Sequence, residues 1–152
     1  MTKKMNQTEL IDLFDKISHF DKHMGLELYE VDSNENKKIE YSLKVETKHL
    51  SSPQSCHGGV IAAMMDAVLG IETLACAAKE GNLCSTVEFK LNFIQPAKLG
   101  DILKGQAQID FKGKSLVVTS GTIISESGLV AKGTGTFNLY PIHKKKLSDF
   151  DV

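Results

Sequence analysis

Residues 58–79 read GGVIAAMMDAVLGIETLACAAK, and this stretch decides the fold. Its first half is apolar almost all the way round, with Asp66 the only ionisable residue between Gly58 and Ile71. A helix apolar on every side is enclosed by other structure rather than laid on a surface. The nearly apolar run from Gly58 to Ile71 is shorter than the ~20 residues a membrane span needs, so it reads as a core helix. Upstream, LSSPQSCHGG (50–59) is a loop punctuated by Pro53 and two glycines.

Everything else is read as what encloses that helix. Before the loop, Met24 to Val31 forms a first strand, 32–36 a polar turn, and Ile39, Tyr41, Leu43 and Val45 alternate with polar neighbours in a second. Ahead of both, Leu10, Ile11, Leu13, Phe14 and Ile17 predict an amphipathic helix from about Gln7 to Phe20, with Thr8 as its N-cap. After Gly81-Asn82 the chain turns to period two. Ser85, Val87, Phe89, Leu91 and Phe93 fall on one face of a strand, Thr86, Glu88, Lys90 and Asn92 on the other. Strands over 103–111, 116–124 and 129–140 follow, joined by short turns, which makes an antiparallel sheet. A sheet surrounds a helix only by curling around it. The order predicts an α+β hotdog fold: a curled antiparallel sheet wrapped around one long central helix, with a short N-terminal helix. The boundaries read as 1–22 for the N-terminal helix, 23–141 for the hotdog domain and 142–152 for a polar tail.

Composition narrows the function. The chain has 152 residues, 41% hydrophobic and 24% charged, enough for one ordinary core. Its net charge is -1, and all 18 basic residues are lysine. Without arginine it lacks the side chain best suited to bidentate phosphate and guanine contacts, which argues against nucleic acid as a partner. Cys56, Cys76 and Cys84 are an odd count without metal-ligand spacing, as expected of reduced thiols in a cytoplasmic protein with no metal and no disulfide framework. No secretory signal or membrane association is read.

The chemistry concentrates in SSPQSCHGGVIAAMMDA (51–67). The first N–H groups of a helix have no internal partner and carry partial positive charge, and glycine lets a ligand approach them closely. Gly58 and Gly59 can therefore serve a carbonyl oxygen that becomes an oxyanion. Burying Asp66 among methionines and alanines costs several kcal/mol unless it is partnered. The pattern allows a catalytic acid or a packing residue. Gly58 and Asp66 lie eight residues apart, or ~12 Å along a helix axis. Two groups acting on one carbonyl must each lie within about 3 Å of it, so one straight helix cannot supply both. If the function is catalytic, a second subunit completes each site.

From His49 to Tyr140 the chain resembles the hotdog-fold acyl-CoA thioesterases of the phenylacetate-degradation (PaaI) type. His57-Gly58-Gly59, Asp66 nine residues after the histidine, and the later run TVEFKLNFIQPAKLGD carry the resemblance. It implies an acyl-CoA thioesterase needing no cofactor beyond the coenzyme A of its substrate. Asp66 would act as general base or nucleophile, and the Gly58 amide would polarise the carbonyl. Thr86, ten residues before Pro96, would help position water, and His57 would support the site. It also implies a homodimer with shared sites, assembled into a tetramer. Where many relatives carry asparagine six residues before the histidine this chain has Ser51, and Gln54 is the amide available in its place. Gly59, Ser51, Gln54 and Met65, the latter with Met64 in an adaptable acyl pocket, are read as substrate-binding. Lys90, Lys98 and Lys114, with Lys112, are candidates for the coenzyme A phosphates. A hotdog enoyl-CoA hydratase or dehydratase and a non-catalytic acyl-CoA binder are the alternatives. The first is disfavoured by the glycine pair and the histidine–acid spacing, the second by its having no need of Asp66.

Overall fold

The computed structural model describes residues 6–34 and 36–142. Six strands occur in the predicted order: β1 (Leu26–Asp32), β2 (Lys37–Lys44), β3 (Asn82–Phe93), β4 (Ile102–Lys112), β5 (Leu116–Ser125) and β6 (Gly128–Pro141). They form one antiparallel sheet in the order β1-β2-β4-β5-β6-β3. The long helix α3 (Gly58–Ala78) carries the chain from β2 to the opposite edge, so β3 pairs with β6 and, among the described residues, its other side is unpaired. α3 packs against every strand from β2 to β6, which requires the sheet to curl. This is the predicted hotdog architecture.

Glycines set how closely helix and sheet approach. Gly105, Gly121, Gly133 and Gly135 line the inner face beneath α3. A Cβ on Gly133 would sit 2.8 Å from Met65 Cγ, and one on Gly121 3.1 Å from Leu69 Cδ2. Into the space so left press Met64, Met65, Val68 and Leu69, all essentially without solvent contact. Each such side chain contributes about 1.5–3 kcal/mol on burial.

The expected all-round enclosure is one-sided. Ala62, Ala63, Asp66, Ala67 and Gly70 are only half-buried, on the face of α3 turned from the sheet centre. By length and a mean hydropathy of 1.8, α3 could cross a bilayer. Its packing, rather than the shortness of its apolar run, identifies it as the core helix of this domain.

The N-terminal helix is two helices, α1 (Gln7–Ile17) and α2 (His19–Met24), broken at Ser18. The N-cap is Asn6, not Thr8. Asn6 Oδ1 accepts from the Glu9 N–H at 2.9 Å, and Glu9 Oε2 accepts from the Asn6 N–H at 3.1 Å. Glutamate three residues after asparagine completes a capping box, which Thr8 lacks the partner to form. Thr8 instead donates to Glu30 Oε1 at 2.7 Å, fastening α1 to β1. Gly25, in the left-handed region at φ 78°, ends α2. Of the expected tail, Ile142 is buried and donates to the Gly81 carbonyl at 3.0 Å. The rest of it, 143–152, lies outside the described residues.

Candidate active site

Asp66 emerges on the open face of α3, where Thr86 Oγ1 donates to its Oδ1 at 2.8 Å. Simple alternation had set Thr86 on the face opposite Phe89 and Leu91. A bulge between Thr86 and Glu88 corrects that reading. The extra residue shifts the parity of β3, so Thr86 joins Phe89 and Leu91 on the helix side while Val87 is turned out, 59% exposed. A strand without the bulge would carry the hydroxyl away from the carboxylate.

The pair opens into a groove of about 450 Å³ between α3, β3 and the α1–α2 hairpin. Ala62, Ala63, Ala67 and Gly70 form its floor, and Phe14, Phe20 and Phe89 are among its walls. At its rim Tyr41 donates to Asp21 Oδ2 at 2.8 Å. Burial first, then the Asp21 charge and hydrogen bond, push the Tyr41 hydroxyl well above its ordinary range. Cys84 also lines the groove and donates weakly to the Gly70 carbonyl. Burial chiefly, with the Asp66 carboxylate adding to it, pushes this thiol up to about 12. Burial pushes Cys56 up to about 11. Neither thiol is a thiolate at neutral pH, so neither is an activated nucleophile. Asp21 and Asp66 both line this groove, and among the described residues neither is in an ion pair; Asp21 is taken up by Tyr41, Asp66 by Thr86.

The start of α3 forms a second feature. His57 is its N-cap, and its Nδ1 accepts from the Gly59 N–H at 2.8 Å. That bond occupies the Gly59 amide. Among the described residues the Gly58 N–H has no acceptor and stays free. A cavity of about 320 Å³ beside it is lined by Cys56, Gly58, Ile61, Phe93, Ile94 and Pro96. A Cβ on Gly58 would lie 3.3 Å from Phe93 Cζ, so any larger residue would have to push the exposed ring aside to leave this amide open. The two features stand apart along β3: Asp66 beside Thr86 near the middle of the strand, Gly58 beside Phe93 at its end.

The other predicted residues scatter. Ser51 and Gln54 are exposed in the loop before α3, where Ser51 N–H donates to the Ser55 carbonyl and the Gln54 carbonyl accepts from Leu99 N–H. Neither lines either cavity. Met65, expected at the substrate, is fully buried on the sheet side with Met64, because the glycine-lined sheet takes the longest side chains of α3. Lys98 is beside the helix start, bridged through its backbone to Ser55. Lys90 points to the outer face of the sheet, opposite in parity to Phe89 and Leu91. Lys114 is in the β4–β5 turn, and Lys112 is paired with Glu80 beyond the end of α3.

One residue passed over in the sequence proves central to the loop. His49 is 2% exposed. Its Nδ1 accepts from Glu46 N–H at 3.0 Å, its Nε2 meets the Met24 carbonyl at 2.8 Å, and its own carbonyl accepts from His57 N–H at 2.7 Å. It thereby ties α2 to the start of α3. A lone histidine carries no such signal in one sequence. Among the described residues no group of three or more His, Cys, Asp and Glu could hold a metal.

Residues 54–132 match the family model described as Thioesterase superfamily. Acyl-coenzyme A thioesterase 13 of Homo sapiens is 30% identical over 105 residues, covering 67% of this chain and 73% of its own. The structure of the E. coli PaaI protein from the phenylacetic acid degradation operon superposes with a TM-score of 0.68 at 22% identity, over 86% of this chain and 96% of that one. A thioesterase from Haemophilus influenzae superposes with a TM-score of 0.74 at 20% identity, over 93% and 94%.

Proposed function

Since the chain belongs to the thioesterase superfamily, we propose that it hydrolyses the thioester bond of an acyl-CoA, releasing the free acid and coenzyme A. The observation that carries the reading is the Asp66 carboxylate, held by Thr86 at the mouth of an otherwise largely apolar groove. Thr86 engages Oδ1 and leaves Oδ2 for the reaction. As general base, Oδ2 takes a proton from water while the water oxygen adds to the thioester carbon. The oxyanion that forms is met by a Gly58 N–H, and its collapse expels the coenzyme A thiolate, which recovers the proton. As nucleophile, Oδ2 itself adds to the carbon and water hydrolyses the resulting anhydride. A single turnover in water labelled with heavy oxygen separates the two, because only the anhydride route leaves label in Asp66. His57, its Nδ1 engaged by the Gly59 N–H, supports the same carbonyl through Nε2. The reaction uses no cofactor beyond the coenzyme A of the substrate.

The Gly58 amide that meets the oxyanion belongs to a second copy. One continuous helix carries both groups, each at its own cavity. β3 is a 12-residue edge strand with Val87 and Phe93 exposed, followed by the exposed Ile94. Such an edge is a ready template for another strand. A two-fold axis between Phe89 and Lys90 sets Thr86 of one copy against Phe93 of the other. The roughly 20 Å that separates the features along one strand is thereby closed across the pair. We propose a homodimer with two shared sites, paired further into a tetramer and working in the cytoplasm. Lys98, nearest the helix start, is the first candidate for the coenzyme A phosphates, ahead of Lys90 and Lys114.

The test is a hydrolysis screen over aryl, short-chain and long-chain acyl-CoAs with Asp66→Asn as control. The variant is expected to lose about 10²–10⁴-fold in kcat. A folded Asp66→Asn protein with full turnover overturns the assignment, and a fully active monomer overturns the shared site.

A further inference from the structure

We infer that the α1–α2 hairpin selects the acyl group by size, with Phe14 and Phe20 as the specificity-determining side chains. The inference rests on the acyl-CoA reading above and goes beyond it by assigning the far wall of the groove.

α3 could have filled the groove itself. It places Ala62, Ala63, Ala67 and Gly70 there, while Met64, Met65, Val68 and Leu69 go to the sheet. Unfilled apolar space costs stability, so a cleft of about 450 Å³ floored by small residues is a binding cleft by its construction. The hairpin that roofs it is fastened at three separate points. Leu10, 1% exposed, anchors α1 in the core, with Thr8 bonded to Glu30 on β1. Tyr41 holds Asp21, and His49 holds the Met24 carbonyl at the end of α2. Phe20 escapes this anchorage. It lines the cleft and yet is 58% exposed, so it stands at the solvent-facing edge of the hairpin wall, while the half-buried Phe14 packs on the core deeper in.

Asp66 and Thr86 fix where the thioester carbon must sit, so the groove beyond them receives the acyl chain. Its reach ends at rings that belong to the hairpin. Removing a ring lengthens the reach, and adding one on the floor shortens it. Each further methylene buried is worth roughly fourfold in binding.

The experiment measures kcat and KM for a saturated series from acetyl-CoA to palmitoyl-CoA. Wild type is compared with Phe14→Ala, Phe20→Ala and Ala63→Phe, each checked for a cooperative melt. Expected are optima moved to longer acyl groups in the two alanine variants and to shorter ones in Ala63→Phe. The ratio of long-chain to short-chain kcat/KM should change by about tenfold or more, mostly through KM. An optimum that stays put, or rates that fall in parallel across the series, overturns the inference. Should a variant fail to fold, a crystal of Asp66→Asn with the preferred acyl-CoA decides. The chain tail against Phe14 supports the inference, and a tail directed elsewhere overturns it. The two readings fail separately. Full turnover by Asp66→Asn removes the catalytic assignment while the shift in optimum still stands or falls alone. A wild type inactive on every acyl-CoA takes both down.

Discussion

α3 has two largely apolar faces, and they are used in opposite ways. On the sheet side Met64, Met65, Val68 and Leu69 meet a row of glycines with no space left over. On the other side alanines and Gly70 leave a groove, and one carboxylate stands at its mouth. Hydrophobicity alone does not separate the two, since alanine and methionine both count as apolar. Side-chain volume does: large side chains opposite glycine make a core, small ones opposite aromatic rings leave a groove. The energetic consequences differ accordingly. Change on the first face is felt as stability, change on the second as kinetics.

Met65→Ala is the sharpest way to break that distinction. A fully buried methionine truncated beneath an inflexible sheet costs about 2–5 kcal/mol. Denaturant titration should show that loss, with kcat and acyl preference of the folded fraction kept. A shift in acyl preference would instead put Met65 back at the substrate and merge the two faces. Thr86→Ala probes the other side at smaller scale. It removes the hydrogen bond that positions the Asp66 carboxylate, so kcat should fall by roughly tenfold or more. The melting temperature should barely move, and Thr86→Ser should recover most of the rate. Loss of stability without loss of rate would make the bond structural.

How much of this was readable in one chain divides along the same line. The fold was legible because it rests on patterns that survive averaging: the apolar helix, six alternating strands, and glycine or proline between them. Asp66, Gly58 and His57 were legible because an acid in an apolar helix and a histidine–glycine pair at its start are local anomalies. What escaped is set by single-residue offsets and long-range packing. The bulge at Val87 reverses the facing of Thr86 without any mark such as glycine or proline. The side of α3 that holds Met65 depends on glycines on β6, about seventy residues away in the chain. The break at Ser18 and the walls made by Phe14 and Phe20 depend on how α1 and α2 dock, through Asp21 and Met24, which no local spacing reveals. A wide helical apolar face announces that something is covered; it is silent on whether what covers it is protein or substrate.

The smallest effect comes from a thiol that lies between the two faces. Cys84 lines the groove, yet burial first and the nearby Asp66 carboxylate second push it up to about 12, and burial pushes Cys56 up to about 11. In an unfolded chain both titrate near the ordinary thiol value of roughly 8.5. Above that pH the unfolded state has released protons that the folded state still holds, so stability falls as pH rises. The contribution is complete below about pH 8.5 and is lost progressively towards the folded values. Melting temperatures measured from neutral pH to pH 11 should decline, and Cys84→Ser should make the decline shallower than wild type. An identical slope would mean that water reaches Cys84 freely, and with it the neighbouring Asp66 carboxylate. The groove would then be an open channel at that end rather than an apolar cleft, and the volume contrast between the two faces of α3 would no longer separate core from site.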